Sequence, residues 1–412
     1  MWRVGGSIAS IRLTAIALRF ALTIFITANL GLEAMGQFGL VLGLGALAPA
    51  LFGFGLNFHM ARAIVGSEEE RQVAIIRSRI GFTLAVLLLA SIAGLPFAIS
   101  EAGMPLVLVL LIAAILWGEA LGMDIYIALT ALRFNVLANF SLAMRSAFWI
   151  PVAVGLAGFS PEYANLQTIL ACWIAGQVAN IVIVWAVLGS RLQSSGSKGD
   201  GWSRATIKDG LRIWPSDLAL VLIAFGDRFI LSGTVDERQL GIFVFFWSFA
   251  NVAQTLVQAA IITPSLPKLI QLHREDVVGW KNQIRQLAVI VMLSGAVLGA
   301  GIYAFIFLVH SYFPQANFPW APVFGATIIV ATIVRFVGDF LSTVLNSAGA
   351  ANAYSLLNVG FAVALMAALI PASMWGGIHG AALALLAVAG VFNLLKLKAV
   401  RAVYQTAIGG NR

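Results

Sequence analysis

The chain is 412 residues long, 60% hydrophobic and only 10% charged, against roughly 45–50% and about 25% in soluble domains. That composition excludes a water-soluble enzyme or binding domain and reads as an integral membrane protein. The excess of base, 25 Lys and Arg against 17 acids, is expected to sit in loops on one side of a bilayer rather than on a nucleic-acid surface.

Charge-poor apolar runs of about 20 residues, the length that crosses a bilayer as a helix, recur along the chain, where a barrel would show shorter alternating segments. The first predicted span, 14–31, continues into a second at 36–58 without a small-residue cleavage site, so it is expected to be retained. Further spans are predicted over 79–99, 105–131, 139–158 and 166–188. The segment "GSRLQSSGSKGDGWSRATIKDG" then interrupts the apolar pattern with the only long Gly/Ser-rich polar stretch. Beyond it come spans at 211–233, 240–262, 285–309, 319–345, 352–373 and 378–395. The expected fold is an all-α integral membrane protein of about twelve transmembrane helices in two six-helix lobes. The N-lobe takes 1–190, a cytoplasmic linker 191–210 and the C-lobe 211–412.

The halves repeat weakly. Setting Gly36-Gln37-Phe38 on Gly241-Ile242-Phe243 also aligns the starts of spans three and nine, and Phe140-Ser141-Leu142 falls near Tyr354-Ser355-Leu356. With an even number of spans in each half, the pseudo-twofold axis is expected to run along the membrane normal.

Alternate loops collect the base: Arg3 and Arg12; Arg62, Arg71, Arg77 and Arg79; Arg133; Arg191, Lys198, Arg204, Lys208 and Arg212 around the central loop; Lys268, Arg274, Lys281 and Arg285; and the tail with Lys396, Lys398, Arg401 and Arg412. The opposite loops hold Arg238 beside Glu33, Glu101, Glu162, Asp236 and Glu237. The positive-inside rule therefore puts both termini in the cytoplasm. The single cysteine, Cys172, excludes an intrachain disulfide and any cysteine-rich metal site.

The loops are too short for a soluble catalytic domain, so no enzyme is expected. A membrane-embedded glycan polymerase or ligase is the rival from another class, and it would need a sizeable outside loop with catalytic His, Arg or acid residues. His59, His273, His310 and His379 are scattered without ligand spacing, and no GxxxxGK[ST] motif occurs. No metal, no cofactor and no ATP site are expected. Transport would draw on an ion gradient, on substrate concentration or on a partner.

Charges inside predicted spans carry the most information, because each costs roughly 2.5–3.5 kcal/mol if it faces lipid. They are Arg19, Glu119, Asp124, Arg145, Asp217, Asp227, Arg228, Arg335 and Asp339. Arg335 and Asp339 are four apart on one helix face, the spacing of an ion pair. Glu119 and Asp124 diverge around their helix; Asp124 is placed to snorkel toward the cytoplasm, and Glu119 to bind a proton or cation or to pair with an Arg. Arg19 and Arg145 either snorkel to headgroups or line a cationic pocket. Asp227 and Arg228, adjacent on span seven, each need a partner; either they bridge to another helix as an outer gate, or Arg228 receives an anion while Asp227 positions it. Arg19, Arg145, Arg228 and Arg335 are thus candidates for binding an anionic headgroup such as a pyrophosphate, since guanidinium forks replace phosphate hydration bidentately. Glu119, Asp124, Asp217, Asp227 and Asp339 are candidates for gating or ion coupling.

Two stretches, "HMARAIVGSEEERQVAIIRSRIG" and "PKLIQLHREDVVGWKNQIRQ", occupy equivalent places in the halves and read as amphipathic interfacial helices. Pro49, Pro151, Pro264 and Pro371 are predicted kink sites.

"ANLGLEAMGQFGLVLGLGALAPALFGFGLNFHMARAI" and "DRFILSGTVDERQLGIFVFFWSFANVAQTLVQAAIITPSLPKL" share a pattern. It is a span, a short acidic outside turn, Gly-x-[Phe/Tyr], and a second span with a basic or Pro-rich exit. In this the chain resembles the lipid-linked oligosaccharide flippases of bacterial polysaccharide biosynthesis, within the multidrug/oligosaccharidyl-lipid/polysaccharide exporter superfamily. The resemblance implies a V-shaped pair of lobes around a central cavity, alternating access, and translocation of an undecaprenyl-pyrophosphate-linked repeat unit to the outer leaflet of the bacterial inner membrane. It also implies that Arg19 and Arg228, in helices one and seven, face the cavity. The partners implied are the lipid-linked oligosaccharide, membrane lipids, and the glycan polymerase and glycosyltransferases of the same pathway; no nucleic acid is expected. At 412 residues the chain is compact for such a flippase, and the acids of helix four equally suit an ion-coupled multidrug or metabolite antiporter of the same architecture.

Overall fold

A computed structural model describes residues 2–100, 105–193, 204–312 and 318–409. Residues 194–203 of the linker, Lys198 among them, Glu101 and Arg412 lie outside the described residues. All regular structure among the described residues is helical: α1 (Trp2–Asn29), α2 (Gly31–Leu51), α3 (Leu56–Ile64), α4 (Glu69–Ser100), α5 (Leu106–Ala131), α6 (Asn135–Ala143), α7 (Ile150–Phe159) and α8 (Leu166–Gln193) precede the linker. After it come α9 (Arg204–Ser232), α10 (Glu237–Val257), α11 (Thr263–Glu275), α12 (Val277–Tyr312), α13 (Pro322–Ser347) and α14 (Ala351–Gly409).

Among the described residues, ten segments are long and apolar enough to cross a bilayer. Counting α14 as two passes and adding α9 gives the expected twelve, and the protein is a multi-pass, all-α membrane protein. α9 is long enough but misses the apolar criterion, because its charges Arg212, Asp217, Asp227 and Arg228 are spread along it. α14 breaks at Gly377, where φ 54° and ψ −142° lie outside the helical region. Phe361 and Phe392, almost equally far from Gly377 on either side, bring their rings to 5.4 Å. In a straight helix they would be separated by about 45 Å, so the chain reverses at Gly377 into two antiparallel passes.

Each predicted amphipathic stretch is split between two helices, the first between α3 and α4 across 65–68 and the second between α11 and α12 at Asp276. α3 buries Leu56, Met60 and Ile64 on one face and exposes Phe58 and Arg62. α11 follows α10 through a π-helical turn at Gln258–Ile262 and fully buries Leu269. A second π turn, Met144–Phe148, joins α6 to α7. Each π turn is followed by a proline, Pro151 or Pro264, whose missing N–H suits a change of hydrogen-bond register.

Contacts divide the chain into two compact units, Met1–Phe25 with Leu40–Val221, and Ile26–Gly39 with Leu222–Arg412. In the second unit α10 is buried nearly all round by aromatic packing, Phe243, Phe245, Phe246 and Phe249 among its buried residues. Such a helix belongs in a core rather than at a lipid surface. The glycines of the sequence repeat meet there. A Cβ on Gly36 would lie 2.8 Å from the Glu237 carbonyl oxygen and 3.1 Å from the Gly241 nitrogen, and one on Gly241 would strike the Leu32 carbonyl. Small residues let membrane helices approach backbone to backbone, so the start of α2 crosses the start of α10 at this pair.

Gly241→Ala should therefore force α2 and α10 apart, at a cost of about 1–3 kcal/mol from overpacking. A thermal unfolding midpoint in detergent equal to that of the parent would refute this close crossing.

Candidate functional site

The first unit holds two charged clusters. In one, Arg79 of α4 donates Nε to Asp124 Oδ1 of α5 at 3.0 Å, Nη1 to the Gly53 carbonyl at 3.2 Å and Nη2 to Asn57 Oδ1 at 3.0 Å. Thr83 donates to the other Asp124 oxygen. Arg79 is 1% exposed and Asp124 2%. Two expectations are corrected here. Asp124 does not snorkel, because a closer counter-charge is available inside. Arg79 is not a loop residue, because α4 starts at Glu69 and carries it nearly three turns into the helix.

The other cluster lies around Glu119. Its carboxylate accepts from Arg145 Nη1 at 3.0 Å, Gln177 Nε2 at 3.1 Å and Trp173 Nε1 at 3.2 Å. Arg145 also reaches the Glu119 carbonyl, at 2.7 Å, and leaves its buried Nε without a partner. It is buried in the π turn rather than snorkelling to headgroups. Gly118 and Gly122 bracket Glu119 on α5, and a Cβ on either would strike Gln177 or Arg145, so this Gly-x-x-x-Gly frame makes the room that the cluster fills.

Arg19 lies beside this pair with an exposed side chain, its Nε donating to the Ser146 carbonyl of the π turn at 3.2 Å. Arg12, seven residues earlier, donates Nε to Asn139 Oδ1 at 2.7 Å with the same sequence offset of 127. A constant offset means that α1 and α6 with its π turn run parallel, as two odd-numbered passes must. Asp217 of α9 is half-buried and has no hydrogen bond or ion pair among the described residues.

The second unit holds a third cluster. Arg228 is fully buried, its guanidinium 4.1 Å from the Trp247 ring centroid and 4.8 Å from that of Phe225. Its Nη1 points to the Gly39 carbonyl at 3.4 Å, while Nε and Nη2 have no partner. Asp227 accepts from the Arg228 backbone nitrogen at 2.8 Å. Arg335 and Asp339 do not pair directly. Gln254 stands between them, accepting from Arg335 Nη2 and donating to Asp339 Oδ2 at 2.7 Å, while Arg335 Nη1 donates to the Ile223 carbonyl at 3.2 Å. Lys396, expected in the tail, is 2% exposed within α14 and donates to the Gly338 carbonyl at 3.3 Å. The correction has the same origin as for Arg79: the helix runs well past the predicted end.

Among the described residues no three His, Cys, Asp or Glu side chains converge as metal ligands do. What the clusters offer is charge held largely inside the helical packing, with base in excess over acid around Glu119 and again around Asp227.

No protein-family model matches the sequence, and no curated protein matches it. Solved structures do share its architecture. Against the inward-facing conformation of a multidrug resistance MATE family transporter of the MOP superfamily, the TM-score is 0.68 at 14% identity, over 96% of this chain and 95% of that one. The fold is that of the MATE transporters. An outward-facing multidrug resistance MATE transporter gives 0.54 at 13% identity over 98% and 94%, and the Vibrio cholerae MATE transporter VcmN in its bent form gives 0.55 at 13% over 99% of both chains. Identity this low carries the MATE fold, and neither a cargo nor the flippase subfamily expected from the sequence.

Asp124→Ala in this MATE fold leaves Arg79 buried without its counter-charge and should cost about 3–5 kcal/mol. The double replacement Arg79→Met with Asp124→Leu removes both charges and should restore most of the loss. Thermal unfolding of the parent and both variants in detergent checks this; equal losses in the two variants would mean that shape, not charge, holds the site.

Proposed function

We propose that the protein is a secondary transporter working by alternating access. The observation that carries this reading is the likeness to MATE transporters over nearly the whole chain. The same likeness favours an ion-coupled multidrug or metabolite antiporter as its specific form, with Glu119, Asp124, Asp217, Asp227 and Asp339 as the acids available for coupling or gating.

A second reading rests on the charges. Arg19 and Arg145 face the single acid Glu119, and Arg228, Arg335 and Lys396 outnumber Asp227 and Asp339. An excess of guanidinium in a low-dielectric setting suits an anionic cargo and opposes a cationic one. This favours a flippase for an undecaprenyl-pyrophosphate-linked oligosaccharide, with Arg19, Arg145, Arg228 and Arg335 as headgroup ligands and the enzymes of surface-polysaccharide synthesis as partners. In either reading the charge distribution supports a bacterial cytoplasmic membrane with both termini inside.

Cells carrying Arg19→Ala with Arg145→Ala separate the two readings. For the flippase, surface glycan should fall at least tenfold while lipid-linked precursor accumulates. For the antiporter, glycan should stay at the parental level while drug accumulation changes. Parental glycan and parental drug tolerance in cells lacking the whole protein would reject both cargoes.

A further inference from the structure

The turn joining α2 to α3 is held in an unusual backbone conformation and gripped from two sides. Phe54 has φ 49° and Gly55 φ 67°. A bulky residue with positive φ is a genuine outlier that persists only when its surroundings over-determine it, at a cost of about 1–3 kcal/mol. On one side the surroundings are Arg79, which takes the Gly53 carbonyl and the Asn57 side chain while its Nε is held by Asp124.

On the other side are the first turns of α9. The Trp214 indole donates to the Ala50 carbonyl at 2.8 Å, one of the carbonyls that the end of α2 leaves without an intrahelical partner. Its ring lies 5.1 Å from that of Phe54. Gly210 and Gly55 touch backbone to backbone. A Cβ on Gly210 would lie 2.6 Å from the Phe54 carbonyl oxygen, and one on Gly55 would run into the Gly210 carbonyl. Immediately after Trp214 comes Pro215, inside α9, where the missing N–H weakens the helix and permits a bend. Pro215 thus divides the docked segment Gly210–Trp214 from the rest of its helix at a missing hydrogen bond.

We propose that the α2–α3 turn and the start of α9 form a latch, closed in this structure, which the Arg79–Asp124 pair keeps in shape and which opens by bending at Pro215 during the transport cycle. The proposal rests on the transporter reading but on neither cargo. Among the described residues, the contacts that close the latch include one hydrogen bond, one ring contact and the approach of Gly210 to Gly55 and Leu56, so opening is a modest step rather than local unfolding. The charged pair contacts Gly53 and Asn57 and acts through their position.

The test uses the full chain in lipid nanodiscs, with Cys172→Ser and spin labels at Val65 and Lys208, both exposed. The parent should show one dominant distance between the labels. Trp214→Phe keeps the ring and loses the hydrogen bond, and the ratio of a second, longer distance to the first should rise about fivefold, the effect of one net hydrogen bond. Gly210→Ala and Asp124→Asn should raise that ratio at least as much. Trp214→Phe is mild enough to fold if Asp124→Asn does not. Distance distributions in Trp214→Phe and Gly210→Ala that superimpose on the parent's would overturn the latch. So would a rise in Gly210→Ala alone, since that would reflect displaced packing. Because no cargo enters the measurement, its failure is distinct from failure of either transport reading.

Discussion

Hydrocarbon offers no partner to a polar group, so a charge inside the span region is costly unless the protein or a water-filled cavity satisfies it. Arg79 illustrates how far this organises the fold: each of its three nitrogens has an acceptor, and the acceptors lie on α5, on the α2–α3 turn and at the start of α3. One side chain therefore fixes the relative placement of four pieces of chain. The other clusters follow the same logic with an added component, the neutral amide. Gln177, Gln254 and Asn139 each stand next to an arginine or carboxylate. A carboxamide both donates and accepts, and can join an Arg to an Asp that do not meet directly, as Gln254 does.

The two π turns sit where these demands conflict with regular helix geometry. A π turn shifts the hydrogen-bond register and commonly marks a functional place in a helix. In the first, Arg145 enters the Glu119 cluster, and the Ser146 carbonyl becomes an acceptor for Arg19. The second precedes Pro264 and lets the chain pass from the buried α10 to the amphipathic α11 without a loop. Both lie beside prolines visible in the sequence, which mark the position but not the kind of distortion.

Much of the architecture was legible because apolar length is a direct consequence of bilayer thickness. The spans follow from it, whereas the compact units do not coincide with the expected lobes, since Ile26–Gly39 packs with Leu222–Arg412. The misplacements, Arg79 and Lys396, share one cause: a charge was taken to end a helix, whereas a paired or carbonyl-bound charge can be carried inside one. Partners were harder to read. The i,i+4 spacing of Arg335 and Asp339 was real, but the contact ran through Gln254, a residue on another helix with no pattern of its own. Asp124 found its partner 45 residues away. The Gly-x-x-x-Gly frame of "GEALG" was the one available signal that Glu119 lies at a crowded helix crossing, and it is legible in the sequence once glycine is read as space for a neighbour's side chain.

The reversal at Gly377 has a consequence for how the protein is made. With a single residue between two apolar passes, there is no polar loop to be drawn across the membrane ahead of the second one. Insertion of the two passes together as a hairpin avoids leaving that tight turn in the hydrocarbon. The same compactness leaves no room at that end for a glycan, a protease site or an inserted epitope. Such a turn is poorly open to the evolutionary drift by insertion that connecting loops usually tolerate.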